Sequence, residues 1–208
     1  MQKWMLARWT IAGLAIASAA HAQGRAPDFG AQGQLAISAE RLFGVYYARR
    51  SDNLPPGPGG GDNLHSSTVI GFGWSSDPAA SSFIQPRAGI DYFVVDHLSL
   101  GGAIGLYTAA GHNPQVGDTG FIIAPRVGYA IDLGRVASFW PRGGMTYYSH
   151  GDWHNIALTG EANFALFPRA NWAFLITPFF DVGPFGRRNN VDFTELTLGI
   201  SFGLMGVI

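Results

Sequence analysis

The stretch GFIIAPRVGYAIDL, residues 120–133, decides the fold class, because its side chains alternate between two faces. Large residues, most of them apolar, occupy the odd positions from Phe121 to Leu133, whereas the even positions from Ala124 to Asp132 are small or charged. A period of two residues is typical of a β-strand, whose successive side chains point to opposite faces. This stretch therefore predicts a strand with one apolar face.

The same alternation recurs in residues 156–166, 172–182 and 195–204. The face opposite the large apolar residues carries Gly, Ala and Thr together with isolated charges such as Glu161, Asp181 and Glu195. A soluble β-sandwich also alternates, with its apolar side inward. Small residues and isolated charges fit a narrow lumen better than a water-facing surface, so the pattern predicts that the apolar faces contact lipid.

The composition points to the same environment. Charged residues make up 13% of the chain, about half the usual share, while glycine is frequent. A net charge of −1 suggests neither a nucleic-acid surface nor an acidic tail. The chain has no cysteine, which excludes a disulfide framework and a lipid-modified cysteine.

One segment resembles a membrane helix, because residues 98–117 contain no charged side chain. However, it includes Gly101, Gly102, Gly105 and Gly111, and its large apolar residues from Leu98 to Leu106 fall on even positions. Only helices and closed barrels satisfy every backbone polar group in lipid. The two-residue period therefore favours a barrel.

The first residues predict export. Lys3 and Arg8 precede an apolar run from Trp9 to Ala17, and Ala20-His21-Ala22 matches a signal-peptidase cleavage pattern. The run is too short to cross a bilayer as a helix. We expect residues 1–22 to be a secretory signal peptide and residues 23–208, beginning at Gln23, to form the barrel.

Tight turns alternate with longer connectors along the rest of the chain. Short turns are expected at residues 95–98, 133–136 and 167–171, and longer connectors near residues 109–118, 149–154 and 184–190. The sequence therefore predicts an all-β, single eight-stranded antiparallel up-and-down transmembrane barrel. Its strands are expected near Gln34–Tyr47, Phe83–Val94, Leu98–Thr108, Gly120–Asp132, Ala137–Tyr148, Asn155–Leu166, Trp172–Gly183 and Phe193–Met205.

Residues 50–82 are expected to form a long first outer loop. The tract from Pro55 to Gly61 has the composition of a loop, but Val69–Trp74 looks extended. Counting that stretch as membrane-spanning gives nine strands, and an odd number places one terminus on the wrong side. The alternative is a ten-stranded barrel whose first strand is split near Glu40-Arg41.

Eight charged residues are expected to point into the lumen. An eight-stranded barrel is only wide enough to be filled by its own side chains, and buried charges require partners. The sequence therefore predicts an ion-pair network formed by Glu40, Arg87, Asp91, Arg126, Arg142, Glu161, Asp181 and Glu195. Simple alternation sends Arg41 towards lipid, unless a bulge or a position near the headgroups accommodates it.

Four aromatic residues lie near predicted strand ends. Bands of Trp and Tyr anchor barrels at the two membrane interfaces. We expect Trp140, Tyr147, Trp153 and Trp172 to belong to such a girdle. Ordinary packing between strands is the alternative explanation for some of them.

The chain resembles the small outer-membrane β-barrel proteins of the OmpA/OmpX-like class. The signal peptide, the phrase from Gly89 to Gly101 and the alternating last strand carry this resemblance. It implies a location in the cell outer membrane of a Gram-negative cell, contact with lipid and lipopolysaccharide, and insertion by the barrel-assembly machinery. Members usually end on an aromatic residue, whereas this chain ends at Ile208.

The expected function is a structural or surface-binding one, exerted through the outer loops and in particular through residues 50–82. A small gated pore and a lipid-acting enzyme at the outer rim are the alternatives. Residues Ser149 to His154 gather a hydroxyl, two imidazoles and a carboxylate, yet their spacing matches no specific catalytic or metal-binding motif. No cofactor or metal is expected.

Overall fold

A computed structural model describes residues 29–53, 64–72, 81, 83–108, 119–134, 136–188 and 191–208. No helix among these residues is long and apolar enough to cross a membrane. The strands are β1 Leu35–Asn53, β2 Leu64–Phe72, β3 Arg87–Val95, β4 Leu98–Thr108, β5 Thr119–Tyr129, β6 Ile131–Asp132, β7 Ala137–His150, β8 Trp153–Arg169, β9 Trp172–Arg188 and β10 Val191–Val207.

Eight strands form a closed antiparallel ring. The strands follow the order β1, β3, β4, β5, β7, β8, β9 and β10 around the ring, and β10 pairs back onto β1 from Ala36↔Val207 to Asn53↔Asp192. The two-residue β6 follows β5 and pairs with β7, so both belong to one position in the ring. The predicted eight-stranded barrel is confirmed, and the ten-stranded alternative is wrong.

Strands β2 and β3 share one position in the wall. One edge of β1 pairs with β10, and the other pairs with β3 from Leu35 to Glu40 and with β2 from Val45 to Asn53. Residues 83–86, which precede β3, are not in a strand, and Phe83, Ile84 and Gln85 are buried. The prediction that a strand begins at Phe83 is therefore wrong.

The expected loop 50–82 contains more strand than predicted. Strand β1 continues through Asn53, and residues 64–72 form a strand longer than the extended stretch expected at Val69–Trp74. The remaining parts of that loop, at residues 54–63, 73–80 and 82, lie outside the described residues, as does the expected signal peptide at residues 1–22.

A bulge interrupts β1 where the sequence suggested a possible split. Ala39 pairs with Leu204 and Phe43 with Phe202, so residues 40–42 lie opposite the single residue Gly203. Arg41 has a φ of 51° at this point. Both Glu40 and Arg41 are consequently buried in the interior, although they are adjacent in sequence.

The two ends of the barrel differ. The lower end holds the tight turns at Asp96-His97, Leu133-Gly134 and Ala170-Asn171, together with residues 29–34 and Ile208. At the upper end, the prediction of longer connectors at residues 149–154 and 184–190 is wrong. There β7 and β8 are joined by Gly151-Asp152 alone, and β9 continues to Arg188. Strands β8, β9 and β10 have 17 residues each, which exceeds the roughly ten needed to cross a bilayer.

The outer surface of the ring is apolar. Ile104 and Leu106 on β4 and Leu158 on β8 are each more than half exposed, and similar side chains recur on the other ring strands. The residues between them point inward and are buried. A continuous apolar exterior of this extent requires an apolar environment or partner.

Candidate functional site

A continuous set of ion pairs crosses the middle of the barrel interior. Five strands and the bulge of β1 supply its side chains, and alternation along each strand directs them inward. In order of contact, this charged network consists of Asp91, Arg126, Glu40, Arg142, Glu161, Arg41 and Asp181.

Arg126 bridges β5 to β1 and β3. Its Nη1 and Nη2 atoms each lie 2.7 Å from one carboxylate oxygen of Glu40, which is a bidentate pair. Its Nε donates to Asp91 Oδ1 at 3.0 Å. Bidentate pairing fixes the orientation of both groups as well as their separation.

Arg142 connects the first carboxylates to the next. Its Nη1 lies 2.8 Å from Glu40 Oε1, and its Nη2 lies 2.7 Å from Glu161 Oε2. The guanidinium also stacks over the Trp140 ring, 4.4 Å from the ring centroid. Asn163 Oδ1 accepts a further hydrogen bond from Nη2 at 3.1 Å. These contacts link β7 to β1 and β8.

Arg41 completes the network through the bulge. Its Nη1 lies 2.7 Å from Asp181 Oδ2, and its Nη2 lies 3.3 Å from Glu161 Oε1. The guanidinium stacks over Phe179 at 3.9 Å, and Thr159 donates to Asp181 at 2.7 Å. Each charged group therefore has at least one partner of opposite sign inside a region shielded from water, as buried ions require.

Two of the eight predicted lumen residues lie apart from this network. Glu195 is buried and accepts hydrogen bonds from Ser81 Oγ at 2.7 Å and Asn155 Nδ2 at 3.0 Å. Arg87 is also buried, and its Nη2 donates to the main-chain carbonyl of Phe83 at 2.8 Å. Among the described residues Arg87 makes no ion pair, and its Nε and Nη1 atoms have no hydrogen-bond partner.

An apolar layer fills the lower end of the barrel below the charged network. The N-terminal Phe29 is buried there, with its ring 5.2 Å from Phe93 and 5.4 Å from Trp140. Hydrogen bonds from Gly33 N to Phe93 O and from His97 N to Gly30 O hold the entering chain across the mouth. Residues 29–34 therefore close the lower mouth.

An aromatic layer fills the upper end. Phe83, Tyr148, Trp153 and Phe193 are buried together with Ile122 and Ala157. Arg50 lies between the rings of Trp153 and Phe193, at 4.4 and 4.1 Å, and pairs with Asp52 at 2.7 Å. The sequence does not indicate this position for Arg50, because its pattern places the residue at the start of the expected outer loop 50–82.

The aromatic girdle is partly contradicted. Trp140 and Trp153 are 0% and 5% exposed and point into the barrel. Trp140 lies two positions from Arg142 on β7, and Trp153 shares the odd positions of β8 with Glu161, so each must share the inner face. Tyr147 and Trp172 are half-buried near strand ends.

The predicted rim cluster is only partly assembled. Ser149 Oγ and Tyr147 Oη each lie 3.1 Å from His154 Nδ1, and the Tyr147 and His154 rings are stacked. A hydroxyl bonded to an imidazole nitrogen is the minimal geometry for an activated nucleophile. Within the described ranges, no group of three or more His, Asp or Glu residues is placed to hold a metal ion.

Comparison with known proteins identifies the fold. No family model matches the chain. No curated protein matches it at a significant level. Among solved structures, it is similar to neisserial surface protein A, NspA, with 13% identity, 84% of this chain and 99% of that chain covered, and a TM-score of 0.53.

The N-terminal β-barrel domain of OprF from Pseudomonas aeruginosa aligns with 14% identity over 85% of this chain and 98% of that domain, with a TM-score of 0.43. The similarity to NspA shows the fold: the chain has the architecture of the small outer-membrane β-barrels, as the sequence resemblance predicts.

Proposed function

We propose that this chain is an exported outer-membrane protein whose barrel is a closed scaffold that presents its upper strands and loops at the cell surface. The observation that carries this proposal is the filled interior. An apolar layer, the charged network and an aromatic layer follow one another along the barrel axis. A lumen occupied in this way supports a structural or binding role rather than conduction.

The apolar exterior supports the outer-membrane location, because lipid covers the exposed side chains of such a surface. The expected signal peptide, residues 1–22, accounts for export, and insertion then depends on the barrel-assembly machinery. Membrane fractionation and mass measurement of the mature chain test both points. Recovery in the outer-membrane fraction with Gln23 as first residue supports the proposal, and recovery as a soluble periplasmic chain overturns it.

Basic residues near the upper end support contact with lipopolysaccharide. Arg187 and Arg188 end β9, and the side chain of Arg187 is 63% exposed. Guanidinium groups bind phosphates through charge-assisted hydrogen bonds. Surface partners are proposed to bind at the upper strands and through residues 50–82.

Planar-bilayer recording separates the scaffold from the gated-pore alternative. The purified barrel is expected to give no steady conductance at moderate voltage, because the charged network fills the middle of the lumen. A stable open level in most insertions contradicts the scaffold proposal. Heat-treated protein, which has lost its folded gel mobility, is the control for adventitious leaks.

A lipid-acting enzyme is the second candidate, and the contact between Ser149 and His154 is the observation that favours it. Expression of the native chain and of Ser149→Ala in the same host, followed by mass spectrometry of lipid A, tests this activity. A mass change that requires Ser149 supports the enzyme. Identical spectra in both strains and in the empty host refute it for lipid A.

A further inference from the structure

A small cavity lies inside the barrel beside the charged network, between Arg87 of β3 and residues of β5, β7 and β8. It offers about 10 Å³ to the centre of a water molecule, which is close to the space that one water needs. The cavity reaches the wall at Pro125 and Met145, where the pairing of β5 with β7 is interrupted. Besides Arg87, its polar lining residues are Arg126, Arg142, Thr146, Thr159 and Glu161.

Two buried arginines present N–H donors at this cavity. Arg87 and Arg142 are only 3% and 4% exposed. In the described part of the chain, Nε and Nη1 of Arg87 and Nε of Arg142 have no hydrogen-bond partner. A buried N–H that has lost its hydrogen bond to solvent costs free energy unless it finds another acceptor. The cavity therefore suits a ligand that accepts hydrogen bonds from guanidinium groups.

The same cavity also has hydrogen-bond acceptors. Thr159 Oγ1 donates its one hydrogen to the Asp181 carboxylate at 2.7 Å, so in the 2.7 Å contact between Thr146 and Thr159 the hydroxyl of Thr146 is the donor. The lone pairs of Thr146 Oγ1 consequently stay available. The Glu161 carboxylate pairs with Arg142 and Arg41 and has acceptor sites beyond these two contacts. The ligand must therefore be a donor as well as an acceptor.

The balance of charge favours a neutral ligand. The charged network has three guanidinium groups and four carboxylates, which leaves one negative charge in excess. Arg87 supplies the fourth positive charge and attracts Glu161, Asp181 and Glu40. With four charges of each sign, a further ion would be buried without a counterion, which is strongly unfavourable. An anion would in addition be repelled by Glu161 in the cavity lining.

We propose that this cavity is a binding site for one ordered water molecule, which connects Arg87 to the charged network. The water accepts from one N–H of Arg87 and from Nε of Arg142, and it donates to Thr146 Oγ1 and the Glu161 carboxylate. Buried waters commonly make two to four hydrogen bonds, and such bridges are nearly as favourable in enthalpy as direct ones. The water thereby ties the start of β3 to β7 and β8.

A crystal structure of the purified native barrel, at a resolution that shows ordered water, tests the site directly. Crystals soaked in bromide distinguish a halide from water, because bromide scatters anomalously. The expected result is one peak without anomalous signal, about 2.7–3.2 Å from nitrogen atoms of both Arg87 and Arg142. No peak in the cavity, or an anomalous peak that marks bromide, overturns the proposal.

A double-mutant cycle between Arg87 and Thr146 tests the bridge in solution. Thr146→Val keeps the shape of the side chain but removes the acceptor, and Arg87→Met removes the donor. Thr146→Val is expected to raise the unfolding equilibrium constant about fivefold more in the native chain than in the Arg87→Met background, where the bridge is already broken. Urea unfolding in lipid vesicles measures all four proteins.

Thr197→Val is the matched control, because Thr197 is a fully buried threonine of β10 that does not line the cavity. Its effect is expected to be the same with Arg87 and with Met at position 87. Additive effects of Arg87→Met and Thr146→Val overturn the bridge. The crystal structure needs only the native chain, so it decides the proposal even if a variant does not fold.

Discussion

Arg126 contacts three carboxylates of the charged network, Glu40, Asp91 and Glu161. The network alternates in sign along its length, so that removing one arginine leaves neighbouring carboxylates buried with fewer counterions than before. The cost of such a change comes mainly from the stranded charges rather than from the lost attraction. The stability of the fold is therefore concentrated at these few residues.

Arg126→Ala is expected to lower the free energy of unfolding by about 3–5 kcal/mol, because Glu40 and Asp91 lose their closest cation. Arg49→Ala is the matched control at an exposed position of β1, and its effect is expected to stay within about 0.5 kcal/mol. Urea unfolding in lipid vesicles measures both. Equal destabilisation by the two substitutions contradicts the role of Arg126 as the shared counterion.

Trp140 and Trp172 differ in environment although both lie near strand ends. Trp140 Nε1 donates to Ser99 Oγ at 3.1 Å inside the barrel, whereas Trp172 is half-buried and packs against the exposed Phe174. Brominated lipid is expected to quench the native chain and Trp140→Phe by similar absolute amounts. Trp172→Phe is expected to lose a measurable part of the quenching. The opposite result places Trp140 at the lipid interface.

At the scale of the strand, close approach of β5 and β7 depends on one glycine. A Cβ on Gly144 meets the Pro125 carbonyl oxygen and comes within 2.8 Å of Arg126 Cα, whereas a Cβ on Gly143 has only Thr159 O nearby, at 3.9 Å. Substituting each of these adjacent glycines therefore distinguishes the lack of space at Gly144 from the loss of backbone flexibility, which both substitutions cause. Only the inward-facing position excludes a side chain.

Gly144→Ala is expected to cost about 1–3 kcal/mol through overpacking between the two strands. Gly143→Ala is expected to be neutral or slightly stabilising, because it removes chain entropy without a contact. Equilibrium unfolding of the two variants under one set of conditions measures the difference. If Gly143→Ala is destabilised and the stability of Gly144→Ala is unchanged, the assignment of Gly144 to the inner face of β7 is wrong.

Strand identity was predictable from alternation, but strand ends and the bulge were not. The two-residue period located β4 at Leu98–Thr108 with both ends correct. Asp96-His97 marks the turn before the strand, and the polar residues that follow Thr108 mark its end. Nothing in the local sequence distinguishes Phe83–Pro86 from a strand, since its displacement depends on β2 already filling that place in the wall.

The charged network was predictable in part for the same reason. Asp91, Arg126, Arg142, Glu161 and Asp181 lie on regular strands, so parity alone directs them inward. Arg41 lies inward only because residues 40–42 bulge opposite Gly203, and that pairing joins the two ends of the chain. A long-range register of this kind has no signal in the neighbouring residues. Parity also contradicts the girdle assignment of Trp140, since Trp140 and Arg142 share a face.

At the scale of the whole molecule, the interior is organised as layers whose polarity changes along the axis. Apolar side chains at both ends shield the charged network from water. Because water cannot solvate these charges, the network is stable only when every charged group in it has a partner. The lower layer has a special feature, because Phe29 reaches it from the N-terminal segment rather than from a strand. The ring of strands can therefore close even when Phe29 does not fill the lower mouth.

Phe29→Ala is expected to destabilise the barrel by about 3 kcal/mol or more, because it leaves a cavity among Phe93, Trp140 and Phe167. Phe185→Ala, at an exposed phenylalanine, is expected to change stability by no more than about 0.5 kcal/mol. The ring ladder does not include Phe29, so the folded gel mobility of unboiled Phe29→Ala is expected to persist at room temperature, with a lower temperature of loss. A variant that never shows the folded mobility contradicts this separation, since it makes the N-terminal segment a requirement for forming the ring itself.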